Sequence, residues 1–178
     1  MKKIKYLNKL STYLPLAFLA LLASCAKPPE YPIEPVIEFL SLSKDTMNRA
    51  YAGFQGQGEA TDFTEVTFSF TDGDGDIGET DQLYIIDTRN DPSVAPKKLG
   101  IPVVPELGAS NGIKGKITAK IFTVCCSYND PLAVPCVDIV DSIRYQPVIF
   151  ELYMLDRKGH ESNKIQLPPI VIKCDYVE

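Results

Sequence analysis

The chain has 178 residues, with 23 acidic against 18 basic side chains, 14 prolines, five cysteines, one histidine and no tryptophan. That length suits one ordinary domain better than two, and 45% hydrophobic with 23% charged residues is a globular composition. A single histidine excludes metal sites and catalytic arrays that need two.

Lys2, Lys3, Lys5 and Lys9 make a basic start, and an apolar run from Tyr13 to Ala23 follows. Its 11 residues are too few for a membrane span, which takes about 20, and suit the apolar centre of a signal peptide. The run ends in Leu22-Ala23-Ser24-Cys25, which resembles the bacterial lipobox: an aliphatic residue, two small residues, then cysteine. The resemblance implies cleavage before Cys25 and lipid on its sulfur, making residues 1–24 a lipoprotein signal peptide. Residues 25–178 then carry 14 basic and 23 acidic side chains, a net charge of −9. Such a chain is repelled by nucleic-acid phosphates and anionic headgroups. Nucleic acid is therefore excluded as a partner, and the lipid bilayer is reached through acylated Cys25.

Residues 25–35 form a proline-rich tether, Ala26-Lys27-Pro28-Pro29-Glu30-Tyr31-Pro32-Ile33-Glu34-Pro35 after the cysteine. Proline keeps it extended, with a reach of about 30 Å. Residues 36–178 read as β throughout. Val36–Leu42 is predicted as a first strand. Glu65–Thr71 alternates strictly, with Val66, Phe68 and Phe70 on one face, and Leu83–Asp87 is a short apolar run. Lys116–Cys126 places Ile117, Ala119 and Ile121 on one side. Val148, Phe150, Leu152 and Met154 share a face, as do Ile170 and Ile172. Gly/Asp/Asn/Pro clusters separate these runs. Short strands at this spacing predict an all-β fold: one antiparallel two-sheet immunoglobulin-like sandwich.

The most chemically suggestive stretch is Asp72-Gly73-Asp74-Gly75-Asp76-Ile77-Gly78-Glu79-Thr80-Asp81. Alternating carboxylates with glycines between them can wrap a hard cation, and calcium takes about 6–8 oxygens. Asp72, Asp74, Asp76, Glu79 and Asp81 are the candidate ligands. The spacing is not that of an EF-hand: Ile77 stands at the glycine position and Leu83 at the bidentate glutamate. Asp-Gly pairs also serve as hairpin connectors without metal. Against that plain reading, five carboxylates within ten residues repel unless a cation is near. Calcium is the candidate cofactor, with a role in rigidifying the loop.

With Cys25 assigned to lipid, Cys125, Cys126, Cys136 and Cys174 remain for disulfides in an oxidising compartment. Alternation puts Cys125 on the face of Ile117, Ala119 and Ile121, and Cys174 on the face of Ile170 and Ile172. The expected pairs are Cys125–Cys174 and Cys126–Cys136. The swapped pairing and a metal held by reduced cysteines are the alternatives.

Phe150 to Ile165 resembles the last hairpin of immunoglobulin-like and fibronectin-like bacterial modules: a strand ending in Asp156, a turn with Gly159, then Ser162 and a closing strand. The mature chain also resembles a group of lipoproteins of the Bacteroidota phylum. Residues 22–25, 69–78 and 156–163 carry that resemblance, which implies location and fold and no activity. Asp45-Thr46-Met47 and Asp141-Ser142-Ile143 resemble the O-glycosylation acceptor of that phylum, making Thr46 and Ser142 candidate acceptors. Surface-exported members carry an acidic cluster after the lipidated cysteine. Ala26–Glu30 holds one acid, which favours the periplasmic face of the outer membrane.

Nothing points to an enzyme. A Ser-His-Asp array would need His160, which falls in a turn. Gly53–Gly58 lacks nucleotide-loop spacing, and no carboxylate pair is singled out for glycoside hydrolysis. The expected role is a non-catalytic binding or accessory subunit of the envelope with a protein partner. The alternative is a glycan-binding accessory protein of a polysaccharide-uptake system, using Tyr51, Tyr84, Tyr128 and Tyr153.

Overall fold

The computed structural model describes residues 30–52, 58–60, 62–78, 82–101, 112–129, 132–134, 136–138 and 143–175. The expected signal peptide with Cys25, and the candidates Glu79, Asp81 and Ser142, lie outside the described residues. Among the described residues, no helix is long and apolar enough to cross a membrane.

Every regular element described is a strand: β1 (Val36–Leu42), β2 (Thr46–Asn48), β3 (Tyr51–Ala52), β4 (Gly58–Glu59), β5 (Phe63–Asp72), β6 (Leu83–Asp87), β7 (Lys97–Leu99), β8 (Ile113–Phe122), β9 (Tyr145–Val148), β10 (Phe150–Met154), β11 (Ile165–Gln166) and β12 (Ile170–Lys173). They form sheets ordered β1-β5-β8, β11-β10-β6-β7 and β2-β12-β9, with β3-β4 apart. β2 and β12 pair in parallel, and the other pairs are antiparallel. The protein is thus all-β over the described residues, as its alternation predicts.

The central strand β5 shows how sequence makes core. Period-2 alternation buries Thr64, Val66, Phe68, Phe70 and Asp72 and turns Glu65, Thr67 and Ser69 outward. Its partner β8 buries Ile113, Ile117, Ala119 and Ile121 on the same side. Ile37, Met47, Ile85, Leu152, Val148 and Ile172 join them, so the inward faces of all three larger sheets share one core. β1 is shifted in register between Phe39 and Ser41. The bulge leaves Leu40 exposed and brings Leu42 opposite inward Val66, which accounts for the imperfect alternation of Val-Ile-Glu-Phe-Leu-Ser-Leu.

Three expectations are corrected. The run Val148–Met154 is two strands, since at Ile149 the chain passes from β9, paired with β12, to β10, paired with β6 and β11. All four inward residues stay buried across the change. β8 begins at Ile113 and ends at Phe122, so the predicted strand through Cys126 stops early. That early end reverses the disulfides: the structure pairs Cys125 with Cys136 (Cα–Cα 4.9 Å) and Cys126 with Cys174 (Cα–Cα 6.0 Å). Thr123 still points inward, its hydroxyl donating to Asn48 O at 2.6 Å. The next fully buried residue is Cys126, three positions on, and Cys125 is only half-buried. Cys174 does continue the inward row of Ile170 and Ile172 as expected, and so meets Cys126. Arg89 ties this end to β6: it holds Asp87 through Nε (3.0 Å) and Nη2 (2.6 Å) and donates to Cys125 O at 3.2 Å.

Candidate metal centre

The acidic pole lies at the far end of β5 from these disulfides, because Phe63 pairs with Phe122 at one end and Asp72 with Ile113 at the other. Asp72 occupies the last inward position of β5, so alternation puts a carboxylate on the face that Phe68 and Phe70 occupy before it. It is fully buried. The chain then folds back on itself. The N–H of Asp76 donates to Asp72 Oδ2 at 2.8 Å, and Gly75 adopts φ +73°, a conformation open to glycine. Ile77, also fully buried, pins the loop to the core. Gly78, at φ +107°, donates its N–H to Gln82 Oε1 at 3.3 Å.

A second element closes the site. After β10 the chain turns at Asp156–His160: Gly159 N–H donates to Asp156 O at 3.1 Å and His160 N–H to Asp156 Oδ1 at 2.8 Å. Gly159 there has φ +90°. The turn is hydrogen-bonded to the acidic loop, Arg157 N–H donating to Asp76 O (3.3 Å) and Arg157 Nη2 to Gly78 O (2.9 Å). Asp156, 3% exposed, is thereby brought against the loop.

Asp72, Asp74, Asp76 and Asp156 each offer a carboxylate oxygen, and these oxygens lie within 4.8 Å of one another. Oxygens on opposite sides of a calcium ion stand about 4.8 Å apart, since calcium–oxygen distances are about 2.3–2.6 Å. Asp72 Oδ1, Asp74 Oδ1 and both Asp76 oxygens are buried without a hydrogen-bond partner. Buried carboxylate oxygens are ordinarily satisfied, and such a cluster carries a high electrostatic cost unless positive charge stands near it. Lys158 supplies part of that charge, its Nζ lying 2.5 Å from Asp74 Oδ2 and 3.5 Å from Asp76 Oδ2. It reaches in from solvent, its side chain 56% exposed. His160 Nδ1 lies 2.6 Å from Asp156 Oδ2 and orients that carboxylate.

The electrostatics agree. Burial pushes the Asp72 carboxyl up to about 6, and the charges of Asp74, Asp76 and Asp156 add to the rise against the Asp76 N–H. Burial also raises Asp76, with Asp156 and Asp74 adding to it. Asp74 is lowered by its hydrogen bond to Lys158, which is itself raised. His160 is raised by its bond to Asp156. A divalent cation reverses the penalty on Asp72 and Asp76, and an all-oxygen donor set suits a hard ion such as calcium.

Three of the five predicted ligands thus converge, Asp72, Asp74 and Asp76, and Asp156 is an addition. The sequence noted Asp156 as the end of a strand, but the pairing of β10 with β6 and the hydrogen bonds of Arg157 carry it to the loop. Thr46 lies half-buried in β2, its hydroxyl donating to Asp45 Oδ1 at 3.1 Å. Three of the four candidate tyrosines have a ring face occupied. Tyr84 and Tyr153 stack on each other at 4.8 Å, with Lys98 and Lys164 over the two rings. Tyr51 lies under Arg49, and the Tyr128 hydroxyl donates to Asp138 O at 3.1 Å. Comparison with protein-family models, curated proteins and solved structures returned no match.

Proposed function

We propose that the protein is a lipid-anchored, non-catalytic module of the cell envelope: an immunoglobulin-like β-sandwich, locked at one pole by calcium, that serves as a binding or accessory subunit. The observation that carries the reading is the set of buried carboxylate oxygens of Asp72, Asp74 and Asp76 that lack a hydrogen-bond partner and lie within the span of one cation. The calcium is structural, held by the loop after β5 and the turn after β10. Anchoring through Cys25 on the periplasmic side of the outer membrane rests on the lipobox and the tether composition.

A protein partner is favoured over a glycan. Sugars stack on open aromatic faces, whereas Tyr84 and Tyr153 cover each other and carry lysines. The segment closed by Cys125–Cys136 exposes Leu132 (86%) and Val134 (53%), and Val137 beyond it is 52% exposed. Exposed aliphatic groups held by a disulfide suit a protein contact. The test is cross-linking of the lipidated chain in its own membranes, with Val134→Asp and Val137→Asp as controls. A reproducible partner lost in those variants supports the reading. A monomer that captures nothing, or a partner retained by both variants, contradicts this docking face.

A further inference from the structure

The acidic loop also touches the tether. A Cβ placed on Gly73 would collide with the backbone carbonyls of Tyr31 and Pro32, standing 2.5 Å from the Pro32 oxygen. Loop and tether backbones therefore meet directly, at a spot only glycine fills. A Cβ on Gly112 would stand 2.6 Å from Cδ2 of Tyr31, so that ring seals the same junction. Pro35 is buried, and Ile37 then exchanges two hydrogen bonds with the Asn163 side chain, at 2.8 and 2.9 Å. Gly73 sits between Asp72 and Asp74, so the surface that receives the tether is made by residues that converge on the cation site.

We propose that the cation site is also the lock of the tether: calcium binding fixes the Gly73 backbone against Tyr31 and Pro32 and so sets how the domain stands on its anchor. This rests on the calcium reading, whose support beyond the acid count is Asp72 Oδ1, buried and without a partner. Without the ion the carboxylates repel, the loop opens and Tyr31 and Pro32 lose their seat. The tether is short, so release at this joint frees the domain to swing at the bilayer.

Hydrogen–deuterium exchange on the full chain, with excess calcium chloride or after chelation, tests this, with calcium binding followed in parallel by calorimetry. The amides of Tyr31, Ile33 and Glu34 should exchange on the order of tenfold slower with calcium. Gly73 holds no positive φ, so Gly73→Ala is compatible with the loop backbone and blocks only the tether. That variant should bind calcium with its tether exchanging fast in both conditions. Tyr31→Ala, which leaves the loop untouched, should weaken the protection in the same direction. Calcium binding with unchanged tether exchange would overturn the lock while leaving the site, and failure to bind calcium would overturn both.

Discussion

Asp72 is the residue on which the pole turns. Its carboxyl, near 3.8 in an unfolded chain, is raised to about 6 in the fold by burial and by the neighbouring carboxylates. The folded state then holds the proton more tightly, so this contribution to stability is lost as pH rises from about 4 through about 6. His160, also raised, acts in the same direction at higher pH, because its contribution is lost as pH climbs through its folded value. Chelated protein should therefore be less stable at pH 7 than at pH 5 by chemical denaturation, and added calcium should help more at pH 7. A chelated protein that gains stability over that interval would contradict the assignment. Lys158 and Asp156 test the site from opposite sides. Lys158 must leave Asp74 for an ion to enter, so Lys158→Gln should tighten calcium binding on the order of two- to fivefold, as for loss of an exposed ion pair. Asp156→Asn removes a ligand charge and should weaken binding on the order of tenfold, while exposed Asp91→Asn leaves it unchanged. Calorimetric titration reads all three. Asp72, Asp74 and Asp76 were legible in the sequence as a cluster because carboxylates in one loop advertise their spacing. Asp156 was not, because it lies 80 residues beyond Asp76 and joins the site through the β6–β10 pairing and the turn that follows.

At the scale of elements, strands with clean alternation were legible, and places where the chain leaves alternation were not. Val66, Phe68, Phe70, Ile117 and Ile121 fell on the buried face as read. The change of sheet at Ile149 keeps period 2 and so leaves no trace in the pattern. The short strands β2, β7 and β11 are two or three residues long, too few for any period to show. The cysteines show what one broken period costs: inward Cys126 lies three positions after inward Thr123, and that step swaps both partners. The observed pairing makes a sharp prediction. Cys126→Ala with Cys174→Ala removes the link across 48 residues, and should leave Cys125–Cys136 intact with no new free thiol. In the chain-entropy picture the loss of stability is about 4 kcal/mol. Two new thiols by titration would mean the opposite pairing.

At the scale of the molecule, the two ends of the β5–β8 ladder have different chemistry. One end carries two disulfides, the Arg89–Asp87 pair and, further along the chain, exposed aliphatic side chains. The other carries four carboxylates and the tether, about 30 Å away along ten residues of strand. On the proposed anchoring through Cys25, the acidic joint would face the lipid and the disulfide-pinned end would point outward. The central claim is that the joint is completed by a cation. Thermal unfolding of the full chain tests it most directly, comparing chelated and calcium-saturated wild type with Asp72→Asn. A ligand at 100 times its Kd contributes about 2.7 kcal/mol, and in a chain of this size the melting temperature should rise on the order of 5–10 °C. Asp72→Asn should show little of that rise. A wild-type melting temperature indifferent to calcium would contradict the account.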